Sequence, residues 1–171
     1  MGIPYIGGGS SGSSGSSGAT KTITFTPTAG NYAFELDSSA GRFLLGYAAG
    51  SLVQFVLPAD NTITLLQVEF AGLSTLDISA LTDLQYLTCS NNELTTLNIS
   101  ACQNLRRFEA QSNLFSQAVI DALLAQLVTH GVVDSDAYAY LSGGSNAVPS
   151  AAGLTSKATL ESRGWEVLVN T

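Results

Sequence analysis

The sequence predicts an α/β chain: a short solenoid with a parallel sheet, an antiparallel β cap ahead of it, and helix–strand units after it. Three observations carry this reading. Blocks starting at Ile63, Leu84 and Leu105 repeat one spelling at a period of 21 residues. The stretch before them alternates apolar and polar residues, the two-residue period of a half-buried strand. The stretch after them changes to helical periodicity. A unit that short cannot bury its own apolar side, so each must be covered by its neighbour.

Taken in chain order, residues 1–6 read Met-Gly-Ile-Pro-Tyr-Ile, and Gly7 to Gly18 contain only Gly and Ser. Such a segment is a flexible coil with an r.m.s. reach of about 17–21 Å. Residues 1–18 therefore form either an artificial leader, since Gly-Ser-Ser-Gly resembles laboratory linkers, or a native anchor and tether. In the second case Ile3, Pro4, Tyr5 and Ile6 dock into a socket on another protein. Residues 19–61 make up the β cap. Ile23 and Phe25 share one face of a strand that Pro27 ends, and Tyr32, Phe34 and Leu36 alternate in a second. Arg42 to Leu45 and Leu52 to Leu57 form another pair, and Pro58 to Asn61 turns into the repeats. A unit of this kind shields apolar slots and strand edges that the first repeat would leave open.

Residues 62–171 are the repeat domain with its closing part. The middle block holds Leu84, Leu87, Cys89, Asn92, Leu94, Leu97 and Ile99. One period earlier stand Ile63, Leu66, Val68, Ala71 and Leu73, and one period later Leu105, Phe108, Ala110, Asn113 and Phe115. Leu66, Leu87 and Phe108 are expected to point inward from stacked parallel strands, each contributing about 1.5–3 kcal/mol by burial. Asn92 and Asn113 suit a bend where a buried amide satisfies backbone groups. After Phe115 the period breaks. Ser116 caps a helix with Val119, Ile120, Leu123, Leu124, Leu127 and Val128 on one face, and Gly131 stops it. Tyr138 to Leu141 restores a strand, Thr155 to Arg163 is a short helix, and Trp165 to Val169 is a last strand.

Leu84, Leu87, Cys89, Asn92 and Leu94 spell the pattern L-x-x-L-x-L-x-x-N-x-L, with Cys in a slot also filled by Leu. The chain thereby resembles the leucine-rich repeat family, over about residues 63–115. Ala71 replaces the asparagine in the first block, as in a terminal unit. Leu141-Ser142-Gly143-Gly144-Ser145-Asn146 and Arg163-Gly164-Trp165 resemble the closing part of such proteins encoded by bacteria and bacteriophages. The resemblance implies a fold and leaves activity open, because these repeats host unrelated functions.

Composition narrows the choice. Six basic residues stand against thirteen acidic ones, a net charge of −7, and the sole basic cluster is Arg106-Arg107. That excludes nucleic acid, whose backbone needs several positioned cations. No apolar run reaches the roughly 18–20 residues of a bilayer span, so no membrane insertion is expected. The N-terminus lacks the basic and apolar regions of a secretory signal. Cys89 and Cys102 fall on inward slots and read as buried thiols.

Catalytic groups are scarce. His130, the one histidine, ends the long helix, where a cation suits the dipole. Asp134-Ser135-Asp136 reads as a solvated turn rather than a calcium site, which needs six or more oxygens. Gly143-Gly144-Ser145 lacks the Lys-Ser/Thr of a phosphate loop. The expectation is no enzyme, no cofactor and no metal.

Residues between the inward slots face the outer side of the sheet, in columns. Leu65, Tyr86, Arg107 and Tyr138 form one, Gln67, Thr88, Glu109 and Tyr140 the next, and Glu69, Ser90 and Gln111 a third. Tyr and Arg are enriched where proteins recognise one another. Leu65, Tyr86, Arg107, Glu109, Tyr138 and Tyr140 are thus the candidate partner-binding residues, for a protein or glycan ligand. The functional expectation is a non-enzymatic interaction module on a bacteriophage virion, as a decoration, fibre or adhesion protein. It would be held to another virion protein through residues 1–6, and self-association is compatible with this plan. The alternative is a bacterial cell-surface adhesin.

Overall fold

The structure, a computed structural model, describes residues 20–27, 31–38, 41–48, 53–58 and 62–171. The anchor residues Ile3, Pro4, Tyr5 and Ile6 lie outside these. The fold is mixed α/β, with a mostly parallel sheet and, among the described residues, two helices.

Five short strands run parallel: β5 (Ile63–Gln67), β7 (Tyr86–Thr88), β8 (Arg107–Glu109), β9 (Tyr138–Tyr140) and β10 (Glu166–Leu168). They lie in sequence order, so each block of chain is the spatial neighbour of the next. Register puts Leu66 beside Leu87, Leu87 beside Phe108, Phe108 beside Ala139 and Ala139 beside Val167. All five are buried, with Leu87, Phe108 and Ala139 fully so. The flanking slots Val68, Cys89, Ala110 and Leu141 continue the ladder: their N–H groups donate to Thr88, Glu109, Tyr140 and Leu168 carbonyls at 2.8–2.9 Å. One core runs from Ile23 and Ile63 to Trp165 and Val167.

The four N-terminal strands divide between two sheets. They are β1 (Thr20–Pro27), β2 (Asn31–Ser38), β3 (Gly41–Ala48) and β4 (Val53–Pro58). β2 pairs antiparallel with β5 and carries β3 outward, extending the parallel sheet. β1 pairs with β4 on one side and with β6 (Leu73–Asp77) on the other. The sequence pattern predicts one small unit here. The first repeat instead offers two open edges, β5 and β6, and each takes a partner, which removes both from solvent. That pairing is also why Leu73–Asp77 is a strand whereas the matching stretch after Asn92 is not.

At the other end, α1 (Gln117–His130) buries Ile120, Leu123, Leu124 and Leu127, with Val119 and Val128 packed at its margin. Ser116 has the extended N-cap backbone without a side-chain cap bond, and Gly131 stops the helix at φ +74°. α2 (Ala151–Ser162) starts before the expected Thr155 because the Ser150 hydroxyl caps the Ala152 and Gly153 N–H groups. A β-carbon on Gly153 would come within 2.0 Å of Asp121 Oδ1, so glycine is what lets α2 approach α1. Trp165 Nε1 donates to Val132 O at 3.0 Å and an Arg163 Nη to Val128 O at 2.6 Å, fastening the last turn to the end of α1.

Three buried asparagines hold the bends. Asn92 Oδ1 accepts from the Ala71 and Leu73 N–H groups at 3.0 Å, while its Nδ2 donates to Val68 and Cys89 carbonyls. Asn113 accepts from Leu94 N–H and donates to Cys89 and Ala110 carbonyls. Asn146 does the same for Phe115 N–H and for the Ala110 and Leu141 carbonyls. An amide is required because each bend exposes both a donor and an acceptor inside the core.

Candidate functional site

Register builds the outer face as two columns. One holds Leu65, Tyr86, Arg107, Tyr138 and Glu166; the other holds Gln67, Thr88, Glu109, Tyr140 and Leu168. The first four members of each are those expected from the sequence, with Tyr138 and Tyr140 coming from the strand after the period breaks, and β10 adds the fifth. Leu65, Tyr86, Arg107, Glu109, Tyr138 and Tyr140 are half-buried, and Glu166 and Leu168 are exposed.

Side chains from four strands, β7 to β10, interleave there. The Arg107 guanidinium carbon lies 5.0 Å from the Tyr86 ring centroid and 6.0 Å from that of Tyr138. Tyr138 stacks on Tyr140 with centroids 4.6 Å apart and planes 18° from parallel. Arg106 is 5.3 Å from the Tyr86 ring, and its Nη2 donates to the Tyr86 hydroxyl at 2.9 Å. The Arg106 charge is also paired with Asp134, at 3.5 Å. The Tyr138 hydroxyl donates to Glu109 Oε1 and the Tyr140 hydroxyl to Glu166 Oε2, both at 2.8 Å. Each ring and cation thereby restricts the next, so these side chains have little rotamer freedom left to lose.

The charges follow this arrangement. Burial, and then the bond to Glu109, push the Tyr138 phenol up to about 12. The bond to Glu166 raises that of Tyr140. Both phenols remain donors at neutral pH. Burial, and then the Glu109 charge, raise the carboxyl of Glu69, which follows β5, above its ordinary value.

Leu65 heads its column beside Tyr86, and no side-chain bond ties it to the stack. Arg106, Glu166 and Phe70 were not in the sequence-derived set. Arg106 precedes a strand residue and has no outward slot of its own, while Glu166 lies in a strand with no repeat spelling. Phe70 is 63% exposed and holds φ +53°, unusual for an aromatic residue. Asn91 and Ser112 share that left-handed backbone at 21-residue steps, so the repeat spacing was the available signal.

Elsewhere the candidate chemical groups are occupied or enclosed. Cys89 and Cys102 are free and buried; burial pushes both thiols up, Cys102 to about 12. Asp134 Oδ1 accepts from Asp136 N–H at 2.9 Å within its own turn. Gly143 and Gly144 hold positive φ where the chain turns over Ser112. His130 lines a pocket of about 240 Å³ with Ser100, Gln103, Ala125, Gln126 and Thr129. Both its ring nitrogens are buried without a partner among the described residues. Among the described residues no three His, Cys, Asp or Glu side chains cluster in a way that could hold a metal. No described helix is long and apolar enough to cross a membrane.

No protein-family model matches the chain, and neither a curated protein nor a solved structure does.

Proposed function

We propose that this chain is a short leucine-rich-repeat solenoid, closed by β strands at one end and helix–strand units at the other, acting as a non-enzymatic recognition module. Its binding surface is the outer sheet face of Leu65, Tyr86, Arg107, Glu109, Tyr138 and Tyr140, and its ligand a protein or glycan. The observation that carries this is the rail Tyr86–Arg107–Tyr138–Tyr140, in which aromatic rings and a cation are held in fixed order on solvent-accessible strands. Repeat frameworks use such strands because the core is satisfied by the other face.

The setting proposed for it is a bacteriophage virion, as a decoration, fibre or adhesion subunit tethered through residues 1–6. Display of many copies raises the avidity of a weak head. Deleting residues 1–18 then abolishes attachment to the particle and leaves the melting temperature of the remainder unchanged; undiminished attachment would reject the tether.

The recognition face is tested separately. Glycan arrays and random peptide display are screened with the full chain and with its Arg107→Gln/Tyr138→Ser/Tyr140→Ser variant. Ligands held by the parent and lost by a folded variant support the face. A variant that keeps the same ligands removes it.

A further inference from the structure

Arg107 is the one charged member of the rail, and its charge is not paired with a carboxylate among the described residues. Arg106 gives its charge to Asp134 and a hydrogen bond to Tyr86. Tyr138 and Tyr140 give their hydroxyl protons to Glu109 and Glu166. The Arg107 guanidinium lies between two tyrosine rings, and no carboxylate among the described residues pairs with it. The rings flank the guanidinium, and its N–H donors remain for a further acceptor. A fork of parallel N–H donors matches a carboxylate in two bonds, a fit that an ammonium does not reproduce.

The surroundings limit how much negative charge can enter. Glu109 and Glu166 lie on the same face, Glu69 is close enough to feel the Glu109 charge, and the whole chain carries −7. A polyanion would meet repulsion along its length, whereas one carboxylate placed on Arg107 meets its counter-charge at close range. Resting on the recognition face proposed above, we infer that its partner is a protein segment presenting a single Asp or Glu side chain, which the Arg107 guanidinium takes end-on between Tyr86 and Tyr138. The rings supply apolar walls for the methylene stem of that side chain.

Peptides selected by display on the full chain test this directly. The inference expects an acidic residue in the selected binders. Changing that residue to its amide, or Arg107→Lys in the protein, weakens binding by about tenfold, the scale of one charge-assisted hydrogen bond. Making both changes together is no worse than either alone, because both delete the same contact. Thermal melting of the Arg107→Lys protein confirms that it is folded.

Binders insensitive to Arg107→Lys but lost with Tyr138→Ser/Tyr140→Ser would overturn the inference and leave the recognition face standing. Binders indifferent to all three positions would overturn both. Independent losses that multiply in the double change, or ligands found on the glycan arrays alone, would also overturn the carboxylate assignment.

Discussion

Asn92 and Asn113 donate to the same carbonyl: the Cys89 oxygen accepts from Asn92 Nδ2 at 2.9 Å and from Asn113 Nδ2 at 3.1 Å. Two consecutive repeats are thus joined at one backbone atom. The amides hold both donors and acceptors at the bends, so their loss strands several buried polar groups at once.

Asn92→Ala leaves the Ala71 and Leu73 N–H groups without their acceptor. At about 1–3 kcal/mol for each stranded group, partly relieved by relaxation, the cost is about 2–4 kcal/mol in urea unfolding. Asn92→Asp does not rescue it, since a carboxylate accepts from those groups but cannot donate to Val68 and Cys89. A loss under about 0.5 kcal/mol would show that water replaces the amide without cost.

Gly144 sits at φ +56°, and a β-carbon there would stand 2.5 Å from Ser112 Cα. Relief requires backbone movement in the turn that places Asn146. Gly144→Ala is expected to destabilise by about 2–4 kcal/mol, combining overpacking with left-handed strain. Serine at 145, exposed in the same turn, tolerates alanine within about 0.5 kcal/mol.

Burial lowers the His130 pKa below its ordinary 6.5. The unfolded chain then binds the proton more tightly than the folded one. Stability from this group is fully present above pH 6.5 and is lost as pH falls through the folded value. Melting temperatures at about pH 7.5 and about pH 5.5 should differ more for the parent than for His130→Gln. Equal differences would place the imidazole in contact with water.

Much of the fold and face was legible because the repeat is read twice. The same 21-residue step that aligns Leu66, Leu87 and Phe108 inside aligns Leu65, Tyr86 and Arg107 outside, since successive strand residues alternate sides. Asn146 kept its role without its spacing: α1 is inserted between it and Asn113, so the period no longer points to it. The spelling Leu141-Ser142-Gly143-Gly144-Ser145-Asn146 was the remaining signal. The division of β1 to β4 between two sheets was not legible, because alternation identifies a strand and says nothing of which edge it joins. Arg106 escaped notice for a related reason. Its reach to Tyr86 and Asp134 depends on side-chain length and on a loop 28 residues further along the chain, not on strand parity.

The measurement that bears most directly on the account compares Leu87→Ala with Tyr86→Ala, adjacent residues on opposite faces of β7, by urea unfolding. Leu87→Ala removes a side chain packed between Leu66 and Phe108 and should cost about 2–5 kcal/mol. Tyr86→Ala removes a half-exposed ring and its contacts with Arg106 and Arg107, and should cost no more than about 1 kcal/mol. Comparable losses at the two positions would contradict it, because the outer face would then be holding the fold together rather than standing free for a partner.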